Sequence, residues 1–254
     1  MIAKDVELRP RTRAAIGAAR NAGVPVIIAT GRMFRSVRPY ALEAEITEPV
    51  VCFQGALVAE PVSGDWLRHV PMPLAEAHEV IDATAHLGHT VLCYVDDELY
   101  VARETPASDA YARFQHLPVH VVGDLARWLE RQPTKLVNVG EPEEMDALEM
   151  VMKERFGGRL YIAKSLPYFL EFAAPSVTKA AGLEFVADRL GFTREATVAF
   201  GDGENDVELL EWAGYAVAVA NAHERVLAIA DYVCPPVDEE GVAQVIEAVV
   251  DSMR

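Results

Sequence analysis

Apolar residues along this chain repeat with two spacings, one helical and one extended. Pro10 followed by RTRAAIGAARNAG predicts a helix with proline in its first turn and Gly23 as its stop. VPVIIAT (24–30) is a β-branched run with little alternation, the pattern of a strand buried on both faces. TGRMFRSVRPYALE turns back into a helix, and EPVVCFQGALVAE (48–60) predicts a strand with a turn at Gly55. The same grammar returns towards the C-terminus. KAAGLEFVADRLG (179–191) reads as an amphipathic helix stopped by Gly191, ATVAFGD as a strand, ENDVELLEWAG as a helix and YAVAVAN as a strand. HERVLAIA, DYVCP and GVAQVIEAVVDSM complete the alternation as helix, short strand and last helix. Such alternation predicts an α/β fold, a doubly wound (Rossmann-like) parallel sheet with helices on its faces.

From about residue 61 to 164 the texture changes. WLRHVPM, TVLCYVDDELYVAR and KLVNVG predict strands, with VDDE as a tight hairpin turn. LAEAHEVIDATAHLG and EPEEMDALEMVMKERFGG predict helices that pack on them. The expected organisation is therefore an α/β core from residues 1–60 and 165–254, interrupted by an inserted α+β module at 61–164.

Composition narrows the partners. Hydrophobic residues make up 51% of the 254 positions, so the chain has ample material for a folded core. A formal net charge of −16 disfavours nucleic acid and anionic membrane surfaces, because both need Lys and Arg to displace counterions. It leaves room for a small phosphorylated ligand held through a metal ion and a few local cations. Cys52, Cys93 and Cys234 lie in or beside apolar runs without C-x-x-C spacing, as buried reduced thiols would. The N-terminus lacks the basic-then-apolar pattern of a secretory signal, and runs such as VPVIIA are too short to span a bilayer. These features lead to the expectation of a soluble, cytoplasmic protein, monomeric or weakly homo-oligomeric.

Ligands of open α/β sheets bind beyond the carboxyl ends of the strands. Those ends carry Thr30-Gly31-Arg32, Gln54-Gly55 and Gly201-Asp202-Gly203-Glu204-Asn205-Asp206. Thr30 offers a hydroxyl, and Gly31 lets the backbone approach an anion. Asp202 at a strand end suits a hard cation such as Mg²⁺, which keeps several waters and takes one or two carboxylates. Asn205 and Asp206 open the next helix, where they can cap N–H groups and orient a metal-bound water. Each feature also has a plainer reading. TGR after a strand is a common turn, Lys179 at a helix start is commonly a solvated charge, and Glu171 in YFLEF is commonly a satisfied strand-edge carboxylate. The seven histidines show no metal-ligand pattern; Gly88 separates His86 from His89.

Taken in order, VIIATGR, CFQGALV, SLPYFLEFAAPSVTKAAGLEFV, AFGDGENDVELLEWAGYAVAVANA and ADYVCPPVDEEGVAQVI resemble the haloacid-dehalogenase superfamily, and within it the Cof-type phosphatases (subclass IIB) with a large α/β cap. The resemblance runs from about residue 5 to the C-terminus and implies a Mg²⁺-dependent phosphatase of small phosphorylated metabolites. It implies Thr30 as the phosphate-binding hydroxyl, with Gly31, Arg32 and Asn205 also on the phosphate. Lys179 would neutralise phosphoryl charge, so Lys179 and Thr30 form the catalytic pair. Asp202 would be the direct metal ligand, with Asn205 and Asp206 supporting the metal. The cap would close over the substrate and select the leaving group. Gln54 stands where many relatives have asparagine, and Ala180 replaces a common glycine.

One departure is larger. Members of the family open with a strand ending in D-x-D-G-T, whose first Asp is the nucleophile that forms an aspartyl-phosphate and whose second is the general acid/base. This chain begins MIAKDVELRPRTRAAI, which matches the segment just after that motif, and Asp5 has neither a preceding strand nor a D-G-T around it. The resemblance places the missing strand centrally, between the strands ending at Thr30 and Asp202. A start assigned too late, about a dozen residues inside the natural protein, accounts for this. The alternative is a non-catalytic phosphate-ester-binding or regulatory protein; a phosphomutase of similar fold would need the same absent Asp.

Overall fold

The computed structural model describes residues 8–115 and 117–253, so Asp5 lies outside the described residues. In chain order the elements begin with α1 (Pro10–Asn21), α2 (Phe34–Glu43), β1 (Val50–Cys52), β2 (Leu57–Ala59) and β3 (Trp66–His69). They continue with α3 (Leu74–Thr84), β4 (Thr90–Val95), β5 (Glu98–Val101), α4 (Pro106–Gln115), β6 (Val119–Val121) and α5 (Leu125–Trp128). Next come β7 (Lys135–Val139), α6 (Pro142–Phe156), β8 (Tyr161–Leu166) and β9 (Phe169–Ala173). The last are α7 (Lys179–Leu190), β10 (Val198–Gly201), α8 (Val207–Trp212), β11 (Tyr215–Val219), α9 (Glu224–Ile229), β12 (Tyr232–Cys234) and α10 (Gly241–Ser252).

Contacts divide the chain into two units. The first comprises the described residues up to Thr30, Val37–Leu67 and the chain from Thr178 onward. Its helices form where the sequence signals them. Pro10 opens α1 at a position where its missing N–H costs nothing, and Gly191 stops α7 in the left-handed conformation at φ 75°. Parallel strands β10, β11 and β12 lie side by side in chain order, with Val198 opposite Tyr215 and Val217 opposite Tyr232. Leu183 of α7, Leu209 and Leu210 of α8 and Val226 of α9 pack with Ala199, Ala216 and Ala218 of that sheet. Among the described residues, β1, β2 and β3 form a separate sheet, in which β1 runs antiparallel to β2.

VPVIIAT corrects one expectation. This run makes no regular strand; Ala29 forms a single parallel bridge to Val51, and Val24–Thr30 has no buried residue. The Val51 N–H donates to the Ile28 carbonyl and the Thr30 N–H to the Val51 carbonyl, both at 2.8 Å. A strand patterned for burial on both faces here has a ladder partner on one side only among the described residues. That is why it stays half-buried and irregular.

The second unit comprises Gly31–Ser36 and Arg68–Val177. Its six strands run in the order β6-β5-β4-β7-β9-β8. The VDDE turn closes the β4–β5 hairpin with Asp96 and Asp97 both left-handed, at φ 51° and 59°, as a type I′ turn requires. One face of the sheet, with Cys93, Leu136, Leu170 and Phe172, packs on Val80 and Ile81 of α3 and Met145, Leu148 and Met152 of α6. Strand parity puts Tyr94, Lys135 and Glu171 on the opposite face. Cys52, Cys93 and Cys234 are buried thiols, as their apolar settings predict. No described helix is long and apolar enough to cross a membrane.

Candidate functional site

The acidic run Asp202–Asp206 lies in the first unit, at the carboxyl end of β10, where a short 3₁₀ turn (Glu204–Asp206) leads into α8. Its three carboxylates part company. Glu204 turns outward to Arg225, 3.2 Å away, in an exposed ion pair. Asp206 turns inward: its Oδ1 is 2.5 Å from Lys179 Nζ, with the two side chains only 6% and 8% exposed. The other oxygen, Oδ2, accepts the backbone N–H groups of Asp202 at 3.0 Å and Gly203 at 3.1 Å. Asp202 itself remains open to solvent. The protein packed around its carboxyl raises its pKa, repulsion from Asp206 adds to the rise, and the Lys179 cation opposes it. Asp202 is thus an exposed carboxylate whose backbone is fixed by a buried one.

Lys179 owes its place to the start of α7. Thr178 is the N-cap, its hydroxyl accepting the Ala181 N–H at 3.0 Å, and Lys179 follows as the first helical residue. The Phe53–Gly55 turn abuts that cap. Gln54 donates its N–H to the Thr30 carbonyl at 3.0 Å, and Gly55 follows with φ 103°. A Cβ on Gly55 would stand 2.0 Å from the Thr178 carbonyl oxygen, so only glycine permits this approach. A run of contacts therefore links Thr30, Gln54, Gly55, Thr178, Lys179, Asp206 and Asp202 within one unit. Gln54 is buried, and its Oε1 has no hydrogen-bond partner among the described residues, the condition of an acceptor left for water or a ligand.

Asn205 is half-buried in the turn, with its Oδ1 against Gly203: a Cβ there would come within 2.6 Å of it. Gly31 and Arg32 group with the second unit. There the Gly31 carbonyl accepts from Lys135 Nζ at 3.4 Å, and Arg32 Nη1 lies 3.4 Å from Ser36 Oγ. Glu171 is no strand-edge group; it is buried on an inner strand, 2.9 Å from Lys135 Nζ.

No cluster of three or more His, Cys, Asp or Glu among the described residues could hold a metal ion. The oxygen donors present are the Asp202 carboxylate and the Asn205 amide. They fit a hard cation that keeps most of its water and takes one or two carboxylates, and they do not fit a softer ion in an all-protein cage.

Sequence reasoning missed two residues. Lys135, from KLVNVG, carries no motif, and its role shows only in its long-range pairing with Glu171. Asp97 was visible as half of a hairpin turn. In the fold its Oδ2 accepts the Arg35 N–H at 2.7 Å, capping the start of α2.

A buried Lys179–Asp206 pair thus lies beside an exposed aspartate at the carboxyl end of β10, where open α/β sheets bind their ligands. Comparisons with known proteins identify the family. The family model for haloacid dehalogenase-like hydrolases matches residues 1–246. The 5-amino-6-(5-phospho-D-ribitylamino)uracil phosphatase YitU of Bacillus subtilis is 30% identical over 251 residues, covering 96% of this chain and 92% of that protein. A haloacid dehalogenase-like hydrolase from Bacteroides thetaiotaomicron superposes with a TM-score of 0.89 at 25% identity, covering 97% of this chain and 94% of that one. A Thermotoga maritima structure gives 0.86 at 29% identity, covering 97% and 92%. The chain belongs to the haloacid dehalogenase-like hydrolases, in the Cof-type branch of phosphatases.

Proposed function

We propose that this chain carries the phosphate- and metal-binding part of a Mg²⁺-dependent phosphatase for small phosphorylated metabolites. The observation that supports this most is the network in which buried Lys179 pairs with Asp206 while Asp206 fixes the backbone of exposed Asp202. In this reading Thr30, Gly31 and Arg32 donate to phosphate oxygens, and Asn205 helps to orient the group. Lys179 balances the phosphoryl charge from a site where Asp206 holds its ammonium still. A fixed cation in a partly dry setting stabilises developing charge without reorganising during reaction. Mg²⁺ would be held by Asp202, with Asn205 and Asp206 supporting it, and when bound it supplies Lewis-acid stabilisation of the phosphoryl oxygens.

The nucleophilic carboxylate is not among these 254 residues, since no D-x-D-G-T occurs in them. The chain as given therefore binds phosphate esters without turning them over. A regulatory phosphate-ester-binding protein shares that behaviour and is the second reading.

Calorimetry with inorganic phosphate, with and without Mg²⁺, tests the cradle: Mg²⁺-dependent binding is expected, and its loss in Lys179→Ala. No binding by the unmodified chain would overturn the reading. An aryl phosphate and 5-amino-6-(5-phospho-D-ribitylamino)uracil, the compound for which the Bacillus relative is named, test turnover. Neither is expected to be hydrolysed by this chain. Adding an N-terminal strand that ends in D-x-D-G-T restores hydrolysis if the enzyme reading is right; a folded, inactive product would favour the binding protein. Hydrolysis by the chain as it stands would refute the absence of the nucleophile.

A further inference from the structure

The second unit buries an ion pair for which the proposed function has no use. Lys135 of β7 and Glu171 of β9 meet at 2.9 Å with side chains 3% and 8% exposed. They occupy the sheet face opposite α3 and α6, and Lys135 Nζ lies 5.3 Å from the centre of the Tyr94 ring. Beside them, the Tyr94 hydroxyl donates to that of Tyr111 at 2.5 Å. An ion pair in such surroundings gains little over apolar residues of the same volume, because both charges have to give up water. Stability alone does not explain this pair.

Its second contact gives a reason. Lys135 Nζ also reaches the Gly31 carbonyl oxygen at 3.4 Å. No peptide bond among the described residues is cis. In a planar trans peptide the C=O and the following N–H point in opposite directions. A cation that holds the Gly31 carbonyl therefore sets the direction in which the Arg32 N–H is presented, away from Lys135. It also polarises that peptide, which makes the N–H a stronger donor. Four residues further on the same segment is held again, where Asp97 Oδ2 accepts the Arg35 N–H at 2.7 Å and Arg35 pairs with Glu98 at 2.5 Å. Both holds tie the Gly31–Ser36 segment to the six-stranded sheet of its own unit.

We propose that Lys135, oriented by Glu171, is a positioning residue that fixes the Gly31–Arg32 peptide of the Thr30-Gly31-Arg32 segment, the segment that the proposed function gives to phosphate. The phosphate part rests on the proposed function; the fixing of the peptide does not.

The test uses the full chain and two variants. Lys135→Met/Glu171→Leu removes both charges at similar volume, so neither is left buried alone. Glu171→Gln is milder, keeping an acceptor for Lys135. Two quantities are read: hydrogen exchange of the Arg32 and Met33 amides, and the affinity for inorganic phosphate with Mg²⁺. The double variant is expected to keep the protected amides of β7 and β9 while exchange at 32–33 rises about tenfold and phosphate affinity falls about tenfold. Glu171→Gln is expected to move both in the same direction by less, and it decides the matter should the double variant not fold. Unchanged exchange at 32–33 in a folded variant would overturn the proposal. So would faster exchange with unchanged phosphate affinity, because the peptide would then be ordered for some other purpose. Should the unmodified chain bind no phosphate, the proposed function falls, and the exchange measurement still decides whether Lys135 fixes the peptide.

Discussion

Lys179 and Asp206, 27 positions apart in sequence, meet at 2.5 Å in a buried ion pair, and Asp206 spends its second oxygen on two backbone N–H groups. The two partners are therefore unequal. Removing Asp206 strands a buried ammonium and two donors together, whereas removing Lys179 leaves Asp206 with both backbone bonds.

Asp206→Ala is expected to cost about 3–5 kcal/mol of stability, the range for breaking a buried pair from one side. Lys179→Met is expected to cost clearly less. Urea unfolding of the two variants gives the comparison, and equal losses would show that the backbone bonds to Asp206 carry no weight.

Gly55 predicts a local failure. Its φ of 103° and the 2.0 Å approach of a would-be Cβ to the Thr178 carbonyl leave alanine no room without moving backbone. Gly55→Ala is expected to lower stability by about 3 kcal/mol and to disturb the start of α7. Thermal unfolding measures the first effect, and loss of protection at the Ala181 amide, held by Thr178, reports the second.

Much of this architecture is legible in the sequence, for a physical reason. Helices α1 and α7 follow from Pro10, Gly23 and Gly191, which act on their own backbone. The alternation of β10, α8, β11 and α9 follows from periodicity and gives the fold class, while the family shows in the resemblance of blocks such as AFGDGENDVELLEWAGYAVAVANA. Legibility ends where a side chain's role depends on a partner far along the chain. Glu204 and Asp206 look equivalent in sequence, yet one meets Arg225 at the surface and the other Lys179 in the interior. Lys135 and Glu171 are 36 residues apart, and Asp97 caps a helix 62 residues away. VPVIIAT shows the converse: its β-branched pattern is clear, but a strand needs neighbours, and the described residues supply one.

Asp97 makes stability depend on pH in an unusual direction. Burial raises its carboxyl pKa from 3.8 to about 6, against the helix-start N–H bonds that favour the charged form. The folded pKa lies above the unfolded one, so its favourable contribution is complete below about pH 3.8 and is lost as pH rises through about 6. Asp97→Asn keeps an acceptor for the Arg35 N–H and removes the titration. The stability of Asp97→Asn relative to the natural chain is expected to rise by about 2 kcal/mol between pH 4 and 7.5, from about 1.4 kcal/mol per pKa unit. Denaturant unfolding at several pH values measures that difference; a flat difference would mean that Asp97 does not titrate in this window.

Asp202 separates metal binding from folding. Asp202 is an exposed residue near Asp206, and its carboxyl pKa is raised by the surrounding protein and by that neighbour's charge. The folded chain thus tolerates the charge on Asp202 without needing it, whereas the metal ion of the proposed function would need it. Asp202→Asn removes the repulsion and keeps the backbone N–H that Asp206 holds. Without metal, the variant is expected to melt at or above the temperature of the natural chain. With millimolar Mg²⁺, the natural chain is expected to gain a few degrees, since a ligand that binds only the folded state stabilises it by mass action. Asp202→Asn is expected to gain none, and its phosphate affinity becomes independent of Mg²⁺. Thermal melts over a Mg²⁺ series decide this, and an equal gain in both proteins would place the metal on other residues.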